Sequence, residues 1–291
     1  MALFAQPLQS TFLLSRVFLV AVLATSAALA HAGPESAHAL RERHAQLATQ
    51  IERSPFKRPL VVQSSEAGNA LSGSVDAVMP QPYALAREHL QQPGALCEIL
   101  MLQVNTKQCV VNGRELVVHI GRKNDQPLDE AYRVAFTVQP QASSDEHMAL
   151  LLSADSGPFS TRDFRIRLQA IPLDGGQRTY LHLGYSYGMG MAAKLAMQGY
   201  FATAGASKVG FTRTGDAYIG GMRGAIERNT MRYYLAIEAY LASLSAPAPQ
   251  QRKERLERWF NATEQYARQL HEVERNEYLA MKQREFRRLG A

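Results

Sequence analysis

This chain is poor in the residues that make sharp chemical signatures. Its 291 residues include only two cysteines, Cys97 and Cys109, and no C-x-x-C pair, so a thiolate zinc site and a dithiol redox motif both lack their usual ligands. Histidine is scattered: His44 and His89 fall in helical patterns, His119 and His182 in strand patterns, and no H-x-H, H-E-x-x-H or carboxylate cluster joins them. Metal-assisted hydrolysis is left without a ligand set. No segment mixes basic and aromatic residues as RNA-binding modules do, and the formal charge of +6 comes from 32 basic and 26 acidic residues interleaved along the chain. That balance favours solubility and attraction to anionic membrane surfaces, and it argues against nucleic acid as a partner. Internal repeats and low-complexity tracts are also missing. A hydrophobic content of 46% does not indicate disorder, and the length suffices for one substantial core and an appended module.

The N-terminus carries an address. Arg16 precedes "VFLVAVLATSAALAHA", an apolar run that ends in small residues at Ala28-Leu29-Ala30 and Ala30-His31-Ala32. It is short for a bilayer span and has the layout of a cleavable secretory signal. Residues 1–32 are therefore expected to be a signal peptide, with an uncleaved anchor as the alternative and the periplasm as the destination. Losing them removes one Arg and no acid. Cys97 and Cys109 both remain in the exported chain, where a disulfide between them is the default in an oxidising compartment.

Residues 33–58 form an N-terminal helical segment, with Leu40, Leu47 and Ile51 as its apolar stripe. Two strands are expected next, Leu60–Ser64 and Leu71–Met79, joined by a Gly and Asn turn. "YALAREHLQQPGALCEILML" then has helical period and is broken at Pro93-Gly94. From Cys109 the pattern alternates with period two: Leu116, Val118 and Ile120 oppose Val117 and His119, while Phe164, Ile166 and Leu168 oppose Arg165, Arg167 and Gln169. Short turns and no intervening helix make this an antiparallel meander, which excludes a doubly wound parallel sheet. "MAAKLAMQGYFATAG" follows, apolar on nearly every side and so expected to be mostly covered. Met222, Ile226, Tyr233, Ile237 and Leu241 mark a further helix, and a long charged helix is expected from about Lys253 to Arg288.

This order of elements, with "LSGSVDAVMPQPYALAREHLQQP" at its strand-to-helix entry and "AIPLDGGQRTYLHLGYSYGMGMAAKLAMQGY" at its last hairpin, resembles the START-like branch of the helix-grip (SRPBCC) superfamily. The resemblance runs from about Leu60 to Ala204. It implies an α+β fold in which an antiparallel sheet wraps around a closing helix. That places a helix-grip domain over residues 59–220 and a helical C-terminal extension over 221–291. It also implies an apolar cavity for a hydrophobic, lipid-like molecule beneath the helix Met191–Ala204. The expected walls are Tyr132, Phe136, Phe164, Ile166, Leu181, Leu183, Tyr185, Tyr187 and Leu195, although the same side chains would equally fill a solid core. No cofactor and no catalytic residue is assigned. Two other functions remain open: an envelope scaffold whose C-terminal helices contact a protein or membrane surface, and a helix-grip hydrolase or cyclase.

Two formal motifs dissolve on inspection. Gly184-Tyr185-Ser186-Tyr187-Gly188 spells G-x-S-x-G, but alternation runs straight through it, so Ser186 sits mid-strand and not on a nucleophile elbow. Gly188 to Ala193 spells G-x-G-x-x-A without the parallel βαβ unit that a dinucleotide site demands. In "MRGAIERNTMRYY", Arg223, Glu227, Arg228, Asn229 and Arg232 are spaced either as a polar clamp or as a solvated helix face, and the solvated face is expected.

Overall fold

The computed structural model describes residues 36–122 and 126–289, so the signal segment expected over 1–32 lies outside the described residues. Helix α1 (Ala37–Glu52) begins where the Ser36 hydroxyl accepts a hydrogen bond from the Ala39 amide at 3.1 Å, an N-cap that satisfies one of the otherwise orphaned amides. Strands β1 (Leu60–Ala67) and β2 (Ala70–Met79) pair about a turn in which Gly68 takes φ 58°, a conformation a Cβ would disfavour. Helices α2 (Tyr83–Leu90) and α3 (Pro93–Leu100) follow, with Pro93 at the first position of α3, where its missing N–H costs nothing.

Six strands complete the sheet: β3 (Thr106–Asn112), β4 (Glu115–Ile120), β5 (Tyr132–Ser143), β6 (Met148–Ser156), β7 (Thr161–Leu173) and β8 (Arg178–Met189). Every pairing is antiparallel, and the order is β1-β2-β8-β7-β6-β5-β4-β3. The last strand therefore returns beside β2, and the α2–α3 crossover carries the chain from β2 to the far edge. This is helix-grip connectivity with β1 added as an edge strand, and the chain has an α+β helix-grip fold. Cys97 of α3 is bonded to Cys109 of β3, with Cα atoms 5.4 Å apart, so the crossover is stapled to the edge it reaches.

Alternation assigns the two faces. Leu71, Val75, Leu116, Val118, Val134, Phe136, Leu150, Leu152, Ile166, Leu168, Leu181 and Leu183 point into the main core. On the outer face, Leu40, Leu47 and Ile51 of α1 cover Val78, Ile171 and Tyr180.

Beyond β8 the structure departs from expectation. Helix α4 (Met191–Ala202) was to be the gripped helix, yet none of its residues is buried, and Met191 and Leu195 are 62% and 61% exposed. A short ribbon, β9 (Arg213–Thr214) with β10 (Ala217–Tyr218), leads to α5 (Gly221–Ser243), and α5 lies in the grip. Length decides between them: at 1.5 Å per residue α4 spans about 18 Å and α5 about 35 Å, so only α5 covers the concave face. The fit is close where Gly73 of β2 passes under α5, since a Cβ there would sit 2.5 Å from Thr230 Oγ1. Helix α5, which follows the boundary expected at Gly220, thus packs on β1, β2 and β8.

The expected long helix is three: α6 (Ala248–Glu264), α7 (Ala267–Leu270) and α8 (Arg275–Leu289). Their apolar residues Leu256, Trp259, Phe260, Leu270, Met281 and Phe286 turn inward. Trp259 stacks on Tyr278 at 5.1 Å, and the Tyr278 hydroxyl donates to the Leu102 carbonyl at 2.9 Å. Buried Lys282 donates to the Thr106 carbonyl and to Glu285, both at 2.8 Å, fastening α8 to β3.

Candidate functional site

Where β7 meets β8, the register shifts between Arg162 and Arg165, and this bulge swings Phe164 over the inner side of β8. Phe164 stacks on Tyr187 with ring centres 5.2 Å apart, and it meets Tyr185 at 6.3 Å and Phe136 at 6.4 Å. Tyr185 in turn contacts Tyr187 at 5.6 Å and, edge-on, Tyr233 of α5 at 5.4 Å. Gly157 leaves room for the swing, because a Cβ at that position would lie 2.3 Å from the Phe164 ring. The result is an aromatic nest at the α4 end of the grip.

Next to it, Leu96, Ile99, Leu100, Leu152, Ile166, Leu168, Leu183, Tyr233 and Ile237 enclose a wholly apolar void of about 20 Å³. That holds roughly one water-sized sphere, whereas ligand pockets run to several hundred Å³. In this form the grip is filled by α5 itself. Tyr187 and Tyr233 nevertheless retain free surface at its end.

Of the residues expected to wall a cavity, Phe136, Phe164, Tyr185 and Tyr187 share the aromatic nest, and Ile166 and Leu183 line the void. Leu181 is buried further along β8, opposite Ala77 and Ala170. Tyr132 stands at the rim, 5.4 Å from the exposed ring of Phe159. Leu195, also expected as a wall, lies on α4 with 61% of its surface exposed. Helices α3 and α5 also contribute to the site, above all Tyr233, because the helix over the concave face is α5 and not α4.

Ala193, Met197 and Phe201 of helix α4 pack on the main core while the rest of the helix stays open. Lys194 holds it in place, donating to the Gly68 carbonyl at 2.6 Å and pairing with Glu66 at 3.0 Å. Between α4 and the start of α5 runs a groove of about 370 Å³, lined by Phe201, Ile219, Met222 and Arg223 among others.

The polar face expected on α5 is largely buried. Glu227 accepts from the Phe211 and Thr212 amides at 2.6 and 2.9 Å and from the hydroxyls of Thr212 and Ser64 at 2.7 and 2.6 Å. Arg228 donates to the Val209 carbonyl at 3.1 Å, and Arg232 pairs with Glu272 at 2.6 Å. Burial, and then the neighbouring Arg232 charge, bring the Arg228 guanidinium down to about 10. These groups fasten the 205–219 segment and α7 to α5. Close approach of the segment is possible because Gly210 and Gly224 face each other, with a Cβ on Gly210 only 2.8 Å from the Gly224 Cα.

A second polar cluster escaped the sequence reading. Under α1 on the outer face, Asp76 is fully buried; it accepts two hydrogen bonds from Arg43 at 2.7 Å, one from the Tyr180 hydroxyl at 2.8 Å and one from His182 Nδ1 at 2.8 Å. Burial pushes the carboxyl up, but the His182 hydrogen bond and the Arg43 charge outweigh it and hold it far below the usual range. The only sequence cue was period: Asp76 and His182 occupy strand positions with no apolar reason to be there. Ser186 lies mid-strand between Ser72 and Arg165, on the face opposite Tyr185 and Tyr187.

No family model matches this sequence, and no curated protein is similar to it. Solved structures of similar shape include a conserved protein of unknown function from Enterococcus faecalis, 9% identical, covering 74% of this chain and 97% of its own, with a TM-score of 0.33. Ara h 8.0201 is 11% identical over 60% of this chain and 99% of its own, with a TM-score of 0.36. An aromatase/cyclase from Streptomyces sp. R1128 is 12% identical over 68% and 95%, with a TM-score of 0.30. The fold assignment made above rests on this chain's own strand order and crossover.

Proposed function

We propose that this chain is a non-enzymatic, exported binding protein that takes up a hydrophobic, lipid-like molecule at the α4 end of the grip. One observation carries the reading. Helix α4 is apolar on nearly every side, yet none of its residues is buried and it lies beside a groove of about 370 Å³ lined in part by Phe201, Ile219 and Met222. Large apolar side chains left together in water are a standing cost unless something covers them. An apolar ligand entering beneath α4 would cover the inner side of the helix and extend the filled core.

The scaffold alternative called for an apolar stripe exposed on residues 253–288, and those residues are instead packed inward. The hydrolase or cyclase alternative called for at least two titratable groups converging inside the cavity, polar residues able to do acid and base chemistry. The titratable groups that converge there are tyrosines, which burial keeps protonated at neutral pH.

Native mass spectrometry of the protein purified from its membrane envelope, together with thermal melts in added oleic acid or phosphatidylglycerol, tests the reading. The expected result is a co-purifying mass and a ligand-dependent rise in stability, about 2.7 kcal/mol at a hundredfold excess over Kd. Neither mass nor shift with either lipid would sink it. Leu195→Glu and Met191→Glu together, on the outward side of α4, should alter the stability of the empty protein by no more than about 0.5 kcal/mol and leave uptake unchanged, whereas Met197→Glu on its core side should weaken uptake.

A further inference from the structure

The sheet ends in two edges, β1 and β3, and a bare edge is a row of backbone donors and acceptors open to another strand. One bond fixes which groups face outward at β3. The Val138 amide donates to the Arg114 carbonyl at 2.8 Å, so Arg114 and every second residue after it turn their backbone groups to β5. Glu115, Val117 and His119 therefore turn theirs to β3, where they pair with Asn112, Val110 and Gln108. Between these, the amides and carbonyls of Cys109 and Val111 point out of the sheet.

Elsewhere such groups are covered. At the β1 edge the Ser64 carbonyl accepts from Arg223 at 3.0 Å and the Leu60 carbonyl from the Ser54 hydroxyl at 2.7 Å. At the start of β3 the Thr106 carbonyl accepts from Lys282 at 2.8 Å. Past that point, among the described residues, no hydrogen bond from outside the sheet reaches Cys109 or Val111. Val110 and Val111 are also 44% and 42% exposed, although open edges are ordinarily blunted with charge or proline.

A groove of about 270 Å³ adjoins this stretch, walled by Val110, Val111, Met101, Phe286 and Leu289 beside the Cys97–Cys109 bridge. It is lined by two charged residues. Glu98 is paired with Arg255. Arg252 lies over the Phe286 ring at 4.7 Å and has no carboxylate partner among the described residues. The surface thus offers backbone groups to a strand, apolar walls to a side chain and one unmatched positive charge. A second copy pairing through its own β3 would bring no acid from that strand, Thr106–Asn112.

We propose that the open end of β3 docks an extended peptide segment of a partner protein. The segment adds as a strand at Cys109 and Val111, sets an apolar side chain against Val111, Phe286 and Leu289, and brings a carboxylate to Arg252. This site is separate from the one beside α4 and does not depend on it.

Hydrogen exchange and a peptide titration on the full chain test it. In the free monomer the Cys109 and Val111 amides should exchange faster than those of Val110 and Asn112, which face β4. The amidated hexapeptide Thr-Val-Thr-Val-Thr-Asp should shift and protect those two amides in ¹⁵N spectra. Methylating its backbone nitrogens at alternate positions should abolish binding in one set and spare it in the other. Val111→Pro deletes an outward N–H and no bond to β4, and should weaken the peptide about 3- to 10-fold. Arg252→Gln should weaken it about 2- to 5-fold and remove the preference for terminal Asp over Asn. Slow exchange at Cys109 and Val111 in the monomer would show the edge already covered and overturn the proposal. So would absence of peptide binding, binding indifferent to methylation, or equal affinity for the Asp and Asn peptides. Dimerisation of the chain alone that Val111→Pro abolishes would assign the edge to a second copy, and the partner peptide would be ruled out.

Discussion

Asp76 shows how much one residue can organise without touching the inner core. It ties β2, β8 and α1 through His182, Tyr180 and Arg43, all within 2.8 Å. Removing one partner of a buried, fully bonded charge leaves the others stranded, so Asp76→Asn should cost about 3 kcal/mol in denaturant unfolding. The sign of the pH dependence follows from the depressed carboxyl. Its contribution is complete above the unfolded carboxylate value of about 4 and disappears as the pH falls below that. The wild-type stability curve should therefore drop steeply on its acid limb, and the Asn variant should drop less; parallel acid limbs would show that Asp76 is not the group responsible. Leu195 makes the opposite case. In helical period it looks like a core residue, but with 61% of its surface exposed it contributes little to packing.

Among the elements, α5 is the organising one. It lies over β1, β2 and β8, receives α3 and α6, and carries Glu227 and Arg232 to tie down the segments that follow and precede it. Its seat depends on a glycine. At Gly73 a methyl group would press on Thr230 Oγ1 at 2.5 Å and on Ile226 Cγ1 at 3.1 Å. Gly73→Ala should destabilise by about 1–3 kcal/mol, the range for overpacking. In a Thr230→Ala background the hydroxyl is gone, so the same change should cost less; equal costs in the two backgrounds, measured as a double-mutant cycle, would show that the helix does not bear on that strand as described. The contrast with α4 is one of coverage. A short helix secured by Lys194 and three inward side chains is the element of this fold with least to lose by moving.

At the scale of the whole molecule, the crossover from β2 to β3 is the longest reach the sheet requires, and the Cys97–Cys109 bridge closes it. With the two cysteines 12 positions apart, the bridge should contribute about 3 kcal/mol through the entropy of the unfolded chain. Reduction should lower the denaturant midpoint by the corresponding amount while leaving the spectrum of the folded state unchanged. A midpoint insensitive to reductant would mean that the unfolded chain gains nothing from losing the link.

Much of this architecture was legible in the order of the residues because it follows from local periodicity. Strand alternation placed Tyr185 and Tyr187 on one face and Ser186 on the other, prolines and glycines marked the ends of α2 and α3, and two lone cysteines identified each other. The choice of gripped helix was not legible. Both α4 and α5 have apolar residues at helical spacing, and composition favours α4; what separates them is whether a helix is long enough to span a curved sheet and whether the sheet is bare enough, at Gly73, to be approached, and these are properties of two surfaces together. The same holds for the charges. Glu227, Arg228 and Arg232 read as a solvated face, since a sequence shows which groups are polar but not which carbonyls and amides will arrive from 15 to 40 positions away to receive them. Tyr233 belongs to the candidate site for that reason alone: helical period gives its direction relative to Ile226 and Ile237, and only the packing of α5 against β8 brings its ring against Tyr185.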